Sequence, residues 1–142
     1  IVSIDLPGGD FGGTEDVYGE RDTDKMASYA KKGQRVEFLQ MDSQDPATKS
    51  TLQRILEQRE IDLLFIDGDH TYEGVKKDYA LYSSLCSGIT VFHDIAHHTF
   101  DERIEVEKFW NEVKVGKDYK EFVVDGYERG WGPWGGIGVL RG

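Results

Sequence analysis

At 142 residues the chain has the length of one domain with a core of its own, and residues 1–142 are read as a single domain. Hydrophobic residues make up 38% and charged residues 31% of it, an ordinary balance for a globular protein, and no apolar run approaches the ~20 residues that a membrane helix needs. The formal net charge of -10 works against a nucleic-acid partner, because neutralising phosphates takes clustered Lys and Arg.

The single cysteine, Cys86, cannot form an internal disulfide. It fits a reducing compartment, and with no signal-peptide zones at the start the expected location is cytoplasmic. The chain opens on Ile1, already inside an apolar run, so a segment upstream is expected to have been removed, cleaved or never encoded.

In chain order, Ile1 to Asp5 is short, β-branched and closed by an acid, which predicts a buried strand. Leu6 to Gly13, with one proline and four glycines, predicts a loop. A helix is expected from about Asp22 to Lys32, capped by Gly33, and a second strand over Val36 to Met41. Asp45-Pro46 is a helix start, an N-cap acid followed by proline at the first helical position, and Leu52, Ile55 and Leu56 fall on one face after it.

Ile61 to Ile66 is apolar except for Asp62, as expected of a parallel strand covered on both sides. Thr71 can cap the next helix, with Tyr72, Val75, Tyr79 and Tyr82 as its buried stripe, and Cys86 is expected to pack at that helix's end. A fourth strand is expected over Gly88 to Phe92, and an amphipathic helix on Val106, Phe109, Trp110 and Val113. The last two strands are expected over Glu121 to Val124 and Gly136 to Leu140, with Trp131 and Trp134 in the loop between them. Such alternation implies an α/β fold with a mostly parallel sheet and helices on both faces. Ligands in such sheets bind beyond the carboxyl ends of the strands.

Four strands in a row end in acids: Asp5, then Asp42-Ser43, then Asp67-Gly68-Asp69-His70, then His93-Asp94. Each alone can cap a helix or close a turn. Together they point to a site, because an acid beside a buried strand needs a hydrogen-bond or metal partner. A carboxylate in the position of Asp5 can accept both hydroxyls of a ribose, and Asp42 and Ser43 can bond an adenine. Asp67, His93 and Asp94 sit on strands expected to be adjacent, and carboxylates with an imidazole suit a hard or borderline divalent cation. Asp69 and His70 are close enough to support or replace them. His97 and His98 follow in the next loop, where one can serve as a general base.

Phe65-Ile66-Asp67-Gly68-Asp69-His70-Thr71-Tyr72-Glu73-Gly74-Val75, with Asp78, Tyr79 and Leu85, then Val91-Phe92-His93-Asp94-Ile95, resembles the class I S-adenosylmethionine-dependent methyltransferases of family 24. These are related to macrocin-type O-methyltransferases and to cephalosporin hydroxylase-like proteins. The opening Ile1 to Gly13 and the closing Trp134 to Leu140 resemble the family too. The resemblance implies a Rossmann-like sheet of seven strands with a C-terminal antiparallel hairpin, and methyl transfer from S-adenosylmethionine to a hydroxyl of a small molecule or sugar. By position it implies that Asp5 holds the ribose, Asp42 with Ser43 the adenine, and Asp67, His93 and Asp94 a divalent ion, Mg²⁺ or Mn²⁺. Asp67 also falls in the cofactor site, and Asp67 or His97 would take the acceptor's proton.

Two departures stand out. His93 occupies a place where metal-dependent relatives carry an acid or amide, which opens Zn²⁺ or no metal as options. The family's first strand and its Glu-x-Gly loop have no counterpart before Ile1. Strand edges left open by that absence predict a homo-oligomer. Two other readings compete: a non-catalytic remnant with an assembly role, and a metal-dependent glycosyltransferase using Asp67-Gly68-Asp69 as an Asp-x-Asp motif.

Overall fold

The computed structural model describes residues 1–6, 27–96, 101–124 and 135–141. It divides into two compact units, Ile1–Gln58 and Arg59–Gly142.

In the first unit, β1 (Val2–Asp5) pairs in parallel with β2 (Glu37–Gln40), Val2 opposite Glu37 and Asp5 opposite Gln40. The shared direction brings both strands' carboxyl ends, with Asp5 and Asp42, to one edge of the pair. Most of the helix expected from Asp22 lies outside the described residues; its end shows a helical turn at 27–28 and Gly33 at φ 87°, where only glycine sits without strain. Helix α1 (Pro46–Leu56) starts as its sequence dictates: the Asp45 carboxylate accepts from the Ala47 N–H at 2.8 Å, and Pro46 fills the position that needs no donor. Leu52 is buried, Ile55 and Leu56 partly so, and the helix stops at left-handed Glu57.

The second unit holds a four-stranded sheet in the order β3-β4-β6-β5. β3 (Ile61–Ile66) and β4 (Cys86–His93) run parallel; β6 (Ile137–Arg141) runs against β4 and against β5 (Tyr119–Phe122). The expected C-terminal antiparallel hairpin is therefore present. Near its start the β3–β4 ladder shifts register: Ile61 pairs with Cys86, but Leu63 pairs with Ile89. Gly88 sits in that irregularity, so close to the Asp62 carbonyl that no side chain fits.

Helices α2 (Tyr72–Tyr82) and α3 (Val106–Val113) cover one face of this sheet. Thr71 caps α2, its hydroxyl accepting from the Gly74 N–H at 3.1 Å. Val75 from α2, Val106, Phe109 and Trp110 from α3, and Ile66, Phe92 and Leu140 from the strands form one core, with Phe92 and Trp110 almost fully enclosed. Tyr79 and Phe109 lean on Phe92 with ring centroids 5.6 and 6.1 Å away, a distance at which aromatic pairs add to plain burial. Gly138 faces the Trp110 ring, where a Cβ would come within 2.8 Å of it.

Two expectations change. β3 is not covered on both sides: Leu64 and Ile66 turn toward the helices, while Leu63 and Phe65 are 56% and 50% exposed. Among the described residues β3 is also an edge strand of this sheet, paired only with β4. The fifth strand starts two residues earlier than the valines suggest, at Tyr119, because Glu121 is held by Trp110 Nε1 at 2.6 Å and Lys114 Nζ at 2.7 Å. Val123 and Val124 lie beyond it and are exposed. Cys86 opens β4 directly after a 3-10 turn, Ser83–Leu85, and is half-buried.

Candidate functional site

Parallel pairing puts the ends of β3 and β4 side by side, so Asp67, just past β3, comes next to His93, the last residue of β4. Successive strand residues point to opposite faces, which alone would separate His93 from Asp94. Asp94 avoids this by leaving the strand in the left-handed region, at φ 60°. Aspartate tolerates that conformation better than most residues, and such strain gathers at functional sites.

The result is a four-member cluster. His93 Nδ1 lies 3.1 Å from Asp67 Oδ1 and 3.1 Å from Asp94 Oδ1. His70, in the loop between β3 and α2, joins them: its Nδ1 is 2.7 Å from Asp94 Oδ2 and its Nε2 3.2 Å from Asp67 Oδ1. Asp94 is buried, His70 and His93 are partly buried, and Asp67 is open to solvent.

Neighbouring backbone fixes these positions. The Glu105 N–H donates to the His70 carbonyl at 2.8 Å, and the Glu105 carboxylate accepts from the Tyr72 N–H at 3.3 Å, so the start of α3 clamps the 70–72 loop. The Ala96 N–H donates to the Gly135 carbonyl at 2.8 Å. Gly135, at φ 76°, is placed so that a Cβ would meet Asp94 Oδ1 at 3.3 Å.

The charges sustain one another. Burial raises the Asp67 pKa, but the imidazoles of His70 and His93 outweigh it and bring it down to about 2. Asp94 moves further in the same direction for the same reasons. The carboxylates of Asp67 and Asp94 raise His70 to about 9 and His93 to about 10 against the effect of burial. Without a bound ion the cluster is two imidazolium groups against two carboxylates at neutral pH.

The donor set fits a divalent cation. One ligand atom from each of Asp67, His70 and His93 lies within 4.8 Å of the others. His93 Nδ1 is buried and, despite its two close carboxylate oxygens, directs no hydrogen bond at either. A nitrogen turned this way among oxygens is what a cation would use.

The other anticipated residues divide into three groups. Asp5 and Asp42, both exposed, stand at the carboxyl ends of adjacent parallel strands in the first unit. Asp42 also has a local duty: its Oδ1 accepts from the Gln44 N–H at 2.8 Å and its carbonyl from the Thr48 hydroxyl at 2.6 Å. Ser43 follows it, partly buried. Asp69 serves its turn, accepting from the Thr71 N–H at 2.9 Å with its side chain seated over Gly74. His97 and His98, the Gly8–Gly13 loop, Trp131 and Trp134 lie outside the described residues.

In the sequence His70 has only a supporting place beside Asp67, His93 and Asp94, and nothing marks Gly135 or Glu105 as part of a site. His70 had a signal in its spacing, three residues past Asp67 in a loop too short to carry it away. The other two act through backbone contacts between distant segments, which leave no local trace.

A methyltransferase domain family model matches residues 1–95. No curated protein matches the chain. Among solved structures, the chain is similar in fold to a crystal structure of an O-methyltransferase from Bacillus cereus in complex with SAH, with a TM-score of 0.56 and 15% sequence identity. The match covers 99% of this chain and 62% of that one, so the chain spans less than two thirds of that enzyme's length. The likeness shows a Rossmann-like fold, with antiparallel strands at the C-terminus of this chain, and the chain belongs to the methyltransferase domain family.

Proposed function

We propose that the protein is an S-adenosylmethionine-dependent O-methyltransferase, assisted by a divalent cation, that acts on a hydroxyl of a small molecule or sugar. The observation that carries this reading is the placement of acids at the carboxyl ends of β1 to β4 in a chain of this family. The SAH bound to the Bacillus cereus O-methyltransferase supports the choice of cofactor.

In the reaction, the acceptor oxygen forms a bond to the methyl carbon as the carbon–sulfur bond breaks, the sulfonium becomes a neutral thioether, and the hydroxyl proton leaves to a base. Little covalent work falls to the protein, whose share is alignment and charge. Asp5 accepts from the ribose hydroxyls, and Asp42 and Ser43 meet the adenine. Asp67, His93 and Asp94 mark the cation site, and Asp67 is also assigned to cofactor binding. A divalent cation held there would lower the acceptor hydroxyl's pKa and fix its oxygen. Asp67, exposed at the end of β3, and His97 are the groups to which the proton passes. The edge position of β3 among the described strands and the exposed Leu63 and Phe65 support self-association.

Calorimetric titration of S-adenosylhomocysteine into the 142-residue chain tests the cofactor assignment. One saturable site per chain is expected. A folded chain that takes up no S-adenosylhomocysteine would remove the assignment for this polypeptide.

A further inference from the structure

His70 is held in a way that a merely structural loop histidine does not require. Its Nδ1 sits 2.7 Å from Asp94 Oδ2, and Asp94 is buried. Its Nε2 points the other way, 3.2 Å from Asp67 Oδ1. Metal-bound histidines are oriented like this: one ring N–H donates to a carboxylate, which turns the opposite nitrogen outward as the ligand and makes it more basic. Asp94 fills the orienting role here, with its backbone at φ 60° and its carboxylate seated beside Gly135, where an added Cβ would lie 3.3 Å from Oδ1. Opposite it, His93 Nδ1 lacks a hydrogen bond beside the same two carboxylates.

Resting on the cation-assisted reading above, we propose that Asp67, His70 and His93 are the metal ligands, that Asp94 is the residue that positions His70, and that the resident ion is Zn²⁺ rather than Mg²⁺. Two imidazole nitrogens and one carboxylate oxygen form a donor set for a borderline ion. Mg²⁺ prefers all-oxygen surroundings and retains its waters. The ligand atoms are already close to the required spacing. Around an ion with bonds of about 2.1 Å no two ligand atoms are more than about 4.2 Å apart, and here all three lie within 4.8 Å. Three protein ligands leave a coordination position open, the arrangement of catalytic rather than structural zinc sites.

The test is direct metal binding, independent of turnover. The chain is stripped with chelator, then titrated with Zn²⁺ and with Mg²⁺ by calorimetry, and with Co²⁺ by visible absorption, in wild type, His70→Gln, His93→Gln, Asp67→Asn and Asp94→Asn. His97→Gln/His98→Gln serves as the control for the other two histidines. Circular dichroism confirms folding of each variant. Expected are one Zn²⁺ per chain bound at least 100-fold more tightly than Mg²⁺, a loss of at least 100-fold in each ligand variant, and a loss of about 10- to 100-fold in Asp94→Asn. Wild-type Co²⁺ absorption should be intense, as a low-coordinate nitrogen-rich site gives, so the ligand set is tested even where a variant does not fold. Zn²⁺ binding unchanged in His70→Gln, or Mg²⁺ bound as tightly as Zn²⁺, overturns this assignment and leaves cation assistance standing. A folded chain that binds no divalent ion removes both.

Discussion

His70 Nδ1 and Asp94 Oδ2 lie 2.7 Å apart, joining the loop before α2 to the end of β4. The pair ties together two segments that the sequence separates by more than twenty residues. Because Asp94 is buried, removing the imidazole leaves a carboxylate with poor access to water. His70→Ala is therefore expected to lower the melting temperature of the metal-free chain, and His70→Gln, which retains a donor, to lower it less. Equal melting temperatures for all three would show that the pair contributes nothing to the fold.

The raised imidazoles set the pH dependence. His70 and His93 titrate at about 9 and about 10 in the folded chain, above their ordinary 6.5. The stability they supply is fully present below pH 6.5 and is lost as pH rises through 9 and 10. Asp67 is lowered to about 2 and Asp94 is lowered as well, so their contribution is present above about pH 3.8 and is lost as pH falls through their folded values. In chelator, the wild type is expected to lose melting temperature between pH 8 and 11 more steeply than His70→Gln/His93→Gln. Parallel curves for the two proteins would contradict the charged cluster.

Gly135 offers a test by addition. Its φ of 76° and the 3.3 Å between an added Cβ and Asp94 Oδ1 make Gly135→Ala costly by about 1 kcal/mol or more from backbone conformation alone. The substitution is expected to weaken metal binding at the same time, because the new methyl group presses on Asp94. A destabilised variant with wild-type metal affinity would mean that Gly135 matters only as a turn.

Asp5→Ala is expected to weaken S-adenosylhomocysteine binding by about tenfold or more, the cost of leaving two ribose hydroxyls without their charged acceptor. Calorimetry reads this directly. Asp42→Ala should weaken it as well, but also loosen the entry to α1 through the lost Gln44 contact. Unaltered affinity in Asp5→Ala would take the ribose role from that residue.

In the core, Phe92→Ala should cost about 3–5 kcal/mol, since Phe92 is completely enclosed and packs at a tilt against the rings of Tyr79, Phe109 and Trp110. Leu63→Lys, on the opposite face of the sheet and more than half exposed, should change stability little but reduce any self-association seen by light scattering. Denaturant unfolding and scattering on the two variants separate these roles.

The fold was legible where local chemistry is decisive. Asp45-Pro46 and Thr71 start their helices as their side chains require, and the strand-end acids could be read as a series because parallel strands bring like ends together. Legibility failed where geometry between distant segments decides. An apolar run such as Ile61 to Ile66 cannot say whether both of its faces are covered, and here Leu63 and Phe65 are exposed. The start of β5 depends on Glu121 reaching Trp110 and Lys114, contacts that no window around Glu121 contains. Asp67, His93 and Asp94 could be grouped in advance. The place of His70 between two carboxylates depended on how the loop after β3 turns.

The irregularity near the start of β4 has a consequence at its other end. Between the Ile61–Cys86 and Leu63–Ile89 pairs, β4 spends three residues where β3 spends two. Counting on from the first pair without that extra residue would set Phe92, not His93, beside Asp67, and would turn the enclosed ring outward in its place. The extra residue sits at Gly88, jammed against the Asp62 carbonyl, five positions before His93. The identity of the side chain that meets Asp67 is thus decided by chain length rather than by anything in the site itself. A one-residue deletion around Gly88 would disable the cluster while leaving every one of its four members in the sequence.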